Sequence, residues 1–359
     1  MRVLRRVLVV VLSVILGLPV GVVLLLVTCR GEVIGFVVDR SADGPVTAAM
    51  LQISDEHRTQ TWHAGEAVTP RSHFRIGSVT KTFVATVVLQ LVDEKILALD
   101  APIDRVLPDL VSGGESITVG QLLNHTSGLY DYMKGPGMST NRWRGEARFR
   151  HYAPAELLAG AFAHPPYFPP GTDFRYSNTN YIVLGALVEK VTGMPYADAV
   201  RQRILDPLGL RDTSFPGDDP TISAPAVAAR GSSGSGATVD VTEQNPSLDW
   251  AAGEMISTTR DLSTFFDALM SGRLLSATML ERMKQTVPMG LAFHYGLGLQ
   301  RFDLPCGVQL WGHGGELLGY LTYVFVGPDN RVMTMMLASA SGDSFVKFAA
   351  AAAAVFCLR

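Results

Sequence analysis

Charge is scarce in this chain: Lys, Arg, Asp and Glu make up 18% of its 359 residues, and the formal net charge is −3. No Lys/Arg block follows the N-terminus, which removes the electrostatic footprint of a nucleic-acid binder; no nucleic-acid partner is expected. Two hydrolase signatures are also missing. Without a G-x-S-x-G elbow an α/β-hydrolase is disfavoured, and without H-E-x-x-H so is a zinc hydrolase. No internal repeat is visible, and neither a metal nor another cofactor is expected. Cysteine is limited to Cys29, Cys306 and Cys357.

What is present is apolar. At 47% hydrophobic content the chain can bury a substantial core, as one large domain or two interleaved lobes. Arg2, Arg5 and Arg6 precede an uncharged run from Val7 to Cys29, long enough at about 1.5 Å per residue to span a bilayer core. The positive-inside rule then places the rest of the chain outside the cytoplasm. Residues 1–30 read as a membrane anchor, a signal segment or, from Leu26-Val27-Thr28-Cys29, a lipoprotein-like leader, with a buried core helix as the alternative. An extracytoplasmic address permits a Cys306–Cys357 disulfide; two free buried cysteines are the other reading.

Patterning divides the remainder. A helix over 32–40 precedes strands at 47–54 and 60–65, then a helix over 79–92. Helices broken by Gly/Pro loops follow, at 119–123, 154–163, 180–191 and 196–204, with Gly231 to Gly236 as a flexible loop. Helices at 261–270 and 277–285 lead to strands at 296–302, 308–311, 320–326 and 332–338 and a last helix at 345–356. The expected fold class is α+β: an antiparallel sheet built from both termini and flanked by helices, with a helical insertion. The sheet lobe covers about 31–96 and 250–359, the helical lobe about 97–249, with a cleft between them.

Ser78-Val79-Thr80-Lys81 opens the fourth of these segments. A serine hydroxyl is a poor nucleophile until a base takes its proton, and residues three apart share a helix face. The helix start adds unpaired N–H groups and a positive dipole end, favouring an oxyanion and opposing protonation of Lys81. Spacing alone is weak, because Ser344-Phe345-Val346-Lys347 matches it too. Ser344 reads as the N-cap of the Ala-rich last helix, with Lys347 solvated.

Tyr176-Ser177-Asn178 is the single Y-x-N of the chain. A tyrosine near a lysine and a helix start would lose its proton more easily and could shuttle it between Ser78 and a leaving group, while Asn178 holds Lys81 and offers an amide to substrate. His313-Gly314-Gly315 falls before the strand at 320; its glycines allow close backbone approach, and the N–H of Glu316 could complete an oxyanion hole with that of Ser78.

In this order and at these intervals, Ser78-x-x-Lys81, Tyr176-x-Asn178 and His313-x-Gly315 resemble the penicillin-recognising serine hydrolases: class C β-lactamases, D-Ala-D-Ala carboxypeptidases and related esterases. Phe74-Arg75-Ile76-Gly77, the segment Leu122 to Leu129, Tyr176 to Tyr181 and Tyr295 to Leu299 match locally, and the likeness covers about 32–357. It implies a β-lactamase/transpeptidase-like fold. It further implies Ser78 as the acylated nucleophile, proton transfer shared by Lys81 and Tyr176, substrate contact at Asn178, and His313 shaping the field at Tyr176. His125 is then a structural hydrogen-bonder, and cysteines flanking the third motif, as Cys306 and Cys357 do, fit the secreted carboxypeptidase branch.

Two positions depart from that pattern. The third motif has Gly314 where the family usually carries Thr or Ser, and Gln300 stands where the carboxypeptidase branch has an arginine. Arg301 is a candidate replacement, although neighbouring strand residues point to opposite faces. Expected substrate contacts are Gly314, Gly315, Glu316 and Arg301, and Trp250 and Glu254 are candidates for the cleft wall or for core packing. The expected activity is acyl transfer to Ser78 with a cell-wall peptide, β-lactam or acyl ester as the small-molecule or peptide partner, carboxypeptidase-like or β-lactamase-like first. An esterase, or a membrane-anchored covalent sensor without fast turnover, is the alternative.

Overall fold

The computed structural model describes residues 30–358 apart from 67, 291, 340 and 341. The readings placed on residues 1–29 lie outside the described residues, among which no helix is long and apolar enough to cross a membrane.

Among the described residues twelve strands form: β1 Ala48–Ser54, β2 Thr59–Gly65, β3 Phe74–Arg75, β4 Arg230–Ser232, β5 Thr238–Asp240, β6 Ile256–Ser257, β7 Val287–Gly290, β8 Phe293–Tyr295, β9 Gln300–Asp303, β10 Gln309–Leu317, β11 Tyr320–Val326 and β12 Val332–Ala338. Eight of them make one antiparallel sheet in the order β2-β1-β12-β11-β10-β9-β8-β7. The N-terminal hairpin joins the C-terminal meander where β1 pairs with β12, from Ala48 opposite Ala338 to Ser54 opposite Val332. Both strands are buried almost throughout, which is why they read as continuous apolar runs and not as alternation.

The α-helices longer than one turn among the described residues are α1 Arg30–Ser41, α2 Thr80–Asp93, α3 Val119–Leu123, α4 Pro154–Phe162, α5 Thr179–Thr192, α6 Tyr196–Val200, α7 Thr259–Met270, α8 Ala277–Met283 and α9 Ser344–Phe356. One face of the sheet is covered by α1 and α9, whose Val33, Val37, Phe348 and Ala351 share a core with Leu51 and Phe325. The other meets α7 and α2 in the larger core. Nearly every side chain of α2 from Thr80 to Leu89 is buried, and Phe83 stacks on Phe265 with ring centroids 3.7 Å apart. Four valines lower its intrinsic helix propensity, so packing holds it; each fully buried Val or Leu contributes about 1.5–3 kcal/mol. The architecture is the α+β class with a β-lactamase/transpeptidase-like arrangement.

Several expectations are corrected. The strand read over 296–302 is instead the turn from β8 to β9, residues 296–299, followed by the start of β9, because Gly298 turns the chain at φ +77°. The strand expected at 308–311 continues to Leu317, so His313-Gly314-Gly315, which does precede the strand at Tyr320, is itself part of β10. Short side chains there gave no apolar pattern to read. The segment Gly231 to Gly236 is partly ordered, as the β4–β5 hairpin. Ser344 is the first helical residue of α9, with Asp343 in the N-cap position. Cys306 and Cys357 form a disulfide that fastens the end of α9 to the β9–β10 turn.

Candidate active site

Ser78 sits in a 3₁₀ turn, Gly77–Val79, that feeds directly into α2, and Lys81 lies in the first turn of that helix. Lys81 Nζ is 3.0 Å from Ser78 Oγ, 2.8 Å from Asn178 Oδ1 and 2.7 Å from the Ala252 carbonyl. Burial pulls Lys81 down to about 7, against the opposing pull of Asp131 and Asp249. A neutral amine has two N–H groups and one lone pair. The two carbonyl acceptors take the N–H groups, and the lone pair faces Ser78.

Asn178 is held in turn by Asp131, which accepts from its backbone N–H and from Nδ2, each at 3.2 Å. A chain of contacts thus runs from Asp131 through Asn178 and Lys81 to Ser78. The Tyr176 hydroxyl hydrogen-bonds with the Ser78 side chain. Contrary to the sequence expectation, Tyr176 is not made more acidic: its burial raises the phenol well above its ordinary range, outweighing the bond to Ser78. Lys81, not Tyr176, is therefore the group that changes charge near neutrality.

His125 and His313, both buried, are neutral scaffolding groups. His125 Nδ1 accepts from the Ser177 N–H at 3.2 Å and from Asn180 Nδ2 at 3.0 Å, and its ring lies 4.2 Å from that of Tyr176. His313 Nδ1 lies 2.6 Å from the Gly314 carbonyl, which only accepts, so this nitrogen carries the proton and Nε2 accepts from the Tyr295 hydroxyl at 2.8 Å. Burial lowers His313 to about 3, with Lys81 adding a smaller repulsion. It touches Tyr295, which stands edge-on to Tyr176, and so reaches Tyr176 through another ring.

Strand β10 passes against the Ser78 turn. A Cβ built on Gly315 would lie 1.9 Å from the Ile76 carbonyl oxygen and 3.1 Å from the Ser78 nitrogen. One on Gly77, at φ +50°, would lie 2.9 Å from the Glu316 nitrogen. Glycine at both positions is what lets the two backbones meet. The N–H groups of Ser78 and Glu316 are thereby brought to the same edge of the site. Beyond Gly312, opposite Gln300, β10 has no further strand partner on the β9 side among the described residues, which leaves this half of the strand open to the cleft.

The cleft has a volume of about 460 Å³. Ser78, Tyr176, Asn178, Gly314, Gly315 and Glu316 line it, with Asp131, Asp249 and Lys134 on the helical side and Met289, Phe293, Tyr323 and Phe345 on the sheet side. Gln300 also lines it, but its Oε1 is engaged by the Gly314 N–H at 3.0 Å. Arg301 is not among the lining residues; it forms an ion pair with Asp303, on the alternate side of β9. Glu254 is buried in a hydrogen bond with the Tyr196 hydroxyl, and Trp250 packs edge-on against the Tyr196 ring, so neither forms cleft wall. Burial raises Glu254 to about 7. Asp131, Asp249 and the Ala252 carbonyl escaped the sequence reading: a carbonyl oxygen has no residue-type signature, and neither aspartate falls in a spaced motif. Among the described residues no group of three or more His, Cys, Asp and Glu side chains is placed to share a metal ion.

A serine and a lysine meeting at a helix start under a glycine-bearing strand, in this fold, define a serine hydrolase. The β-lactamase family model matches residues 36–356, and the chain belongs to that family. It is 31% identical to penicillin-binding protein 4 of Amycolatopsis lactamdurans over 76% of this chain and 74% of that one. It is 40% identical to esterase EstB of Burkholderia gladioli over 44% of this chain and 42% of the relative, less than half of that protein's length. Among solved structures it resembles a D-stereospecific amidohydrolase from Streptomyces sp., with a TM-score of 0.85 and 39% identity, covering 91% of this chain and 98% of the other.

Proposed function

We propose that the chain is an extracytoplasmic acyl hydrolase that works through an acyl-enzyme on Ser78 and takes small amides and esters of D-amino acids. Ser78 Oγ attacks the carbonyl carbon as its proton passes to Lys81; the developing oxyanion is held by the N–H groups of Ser78 and Glu316. The bond to the amine or alcohol breaks as Tyr176, a neutral phenol, relays a proton to the leaving group. Water then attacks the ester, releasing the acid and restoring Ser78.

The observation that carries the chemistry is the Lys81 amine, 3.0 Å from Ser78 Oγ and drawn down to about 7. Two features support the substrate class. Gly314 offers no hydroxyl, position 300 carries a neutral glutamine and Arg301 is turned away to Asp303, which removes the hydroxyl and the cation expected to grip a peptide's terminal carboxylate. The similar Streptomyces structure is named for D-stereospecific amide hydrolysis. The Cys306–Cys357 disulfide supports the oxidising address.

A panel of D- and L-phenylalanine amide, a D-Ala-D-Ala peptide, a cephalosporin and a short acyl ester, run on wild type and Ser78→Ala, tests both parts. The D-amide and the ester should turn over with wild type alone. Turnover surviving in Ser78→Ala would reject the nucleophile, and faster hydrolysis of the D-Ala-D-Ala peptide or the cephalosporin than of the D-amide would reject the substrate class.

A further inference from the structure

Glu316 offers the cleft a side chain as well as a backbone N–H. Its side chain shares a strand face with Gly314, because Gly315 between them points the other way, toward the Ile76 carbonyl. A Cβ on Gly314 would point at the Tyr323 ring, 3.0 Å away, and toward Gln300 Oε1 at 3.7 Å, both of which line the cleft. The Glu316 carboxylate therefore projects into the cleft from the residue whose N–H stands beside Ser78.

The other acids of the cleft are engaged: Asp131 by Asn178, and Asp249 by Thr140. Glu316 is an exposed residue of β10 with no hydrogen-bond or ion-pair partner among the described residues, and desolvation alone raises its carboxyl above the usual range. Leu321 and Tyr323 stand beside it on β11, and Phe293 and Phe345 extend the apolar wall. An unpaired carboxylate against an apolar wall gains from a cation that arrives with its own hydrophobic group.

We infer that the Glu316 carboxylate binds the free ammonium of an amino-acyl substrate and selects cationic over neutral or anionic acyl groups. The inference rests on the amino-acyl reading of the site. The α-ammonium lies two bonds from the reacting carbonyl carbon, so a carbonyl oxygen held by the Glu316 N–H brings the ammonium within reach of the same residue's side chain. The substrate's own side chain then lies along Phe293, Tyr323 and Phe345. Where the family's carboxypeptidases grip a carboxylate with hydroxyl and cation, this strand presents a glycine followed two residues later by an anion.

The test compares the p-nitroanilides of D-phenylalanine, 3-phenylpropionic acid and N-succinyl-D-phenylalanine, which are cationic, neutral and anionic, on wild type, Glu316→Gln and Glu316→Lys. The cationic-to-neutral ratio of kcat/KM should fall about ten- to a hundredfold in Glu316→Gln, mainly through KM for the cationic substrate. Glu316→Lys should shift preference toward the succinyl substrate. An equal loss on all three, with ratios unmoved, would show a structural role and overturn the inference alone. Failure of wild type to hydrolyse the two D-phenylalanine anilides, with a penicillin still labelling Ser78, would overturn the amino-acyl reading and this inference with it.

Discussion

Two Ser-x-x-Lys tetrads open helices in this chain, and only one makes a site. At α2, Lys81 is buried and its nitrogen meets two carbonyl acceptors and Ser78 Oγ. At α9, Lys347 is not solvated as expected: its side chain, 12% exposed, lies 3.3 Å from the Asp343 carboxylate and 3.2 Å from the Asp43 carbonyl, so it meets a charge partner. An ammonium paired with a carboxylate has no lone pair to offer, whereas one stripped of water and given only neutral partners loses its proton readily. The tetrad fixes reach; the burial and the acceptors around it decide protonation. Those surroundings come from Asn178 and Ala252, far away in sequence.

The largest effect that tests this contrast is on Lys81. Lys81→Met should lower kcat/KM about 10³- to 10⁴-fold with the fold retained. In wild type the base must be neutral, so kcat/KM should rise with pH through a midpoint near 7 and flatten above it. Tyr176→Phe should cost about 10²-fold and leave that midpoint in place, since its phenol stays protonated throughout. A midpoint that moved in Tyr176→Phe while Lys81→Met kept its pH dependence would exchange the roles of the two residues.

A smaller effect comes from the backbone beside each serine. Gly315→Ala would force a Cβ to 1.9 Å from the Ile76 carbonyl, prising β10 from the Ser78 turn; activity should fall roughly tenfold or more, and overpacking of this kind costs about 1–3 kcal/mol in stability. Gly342, two residues before Ser344, has nothing within 4 Å of its added Cβ, and Gly342→Ala should leave both quantities nearly unchanged. Steady-state kinetics and thermal melts of the two variants decide it. Similar losses in both would mean that close approach at β10 is not what distinguishes the Ser78 turn.

Much of this was legible in the sequence, for reasons that also mark its limits. Ser78, Lys81, Tyr176, Asn178 and His313 stand together in the structure as their order and intervals led one to expect. The sheet from both termini was visible because β1, β11 and β12 are long apolar runs. Two kinds of information were not. Gly296 to Leu299 read as strand because glycine breaks no hydrophobic alternation, yet Gly298 turns the chain. The direction of the Tyr176 shift came out reversed, because how deeply a phenol is buried is a property of the packed molecule. Arg301 failed as a replacement for Gln300 on simple alternation, now fixed by its pairing with Asp303.

The smallest expected effect belongs to the tetrad that makes no site. Lys347→Met removes one ion pair between a lysine side chain 12% exposed and a carboxylate 60% exposed; water reaches the carboxylate, and pairs screened in this way contribute on the order of 1 kcal/mol. The apolar stem that packs between α9 and Asp43 is preserved by methionine, so the melting temperature should move by only a few degrees at most and kcat/KM hardly at all. A large loss of activity here would tie α9 to catalysis, through Phe345 at the cleft wall two residues earlier. In that event position along α9, and not protonation of its lysine, would be what the second tetrad supplies.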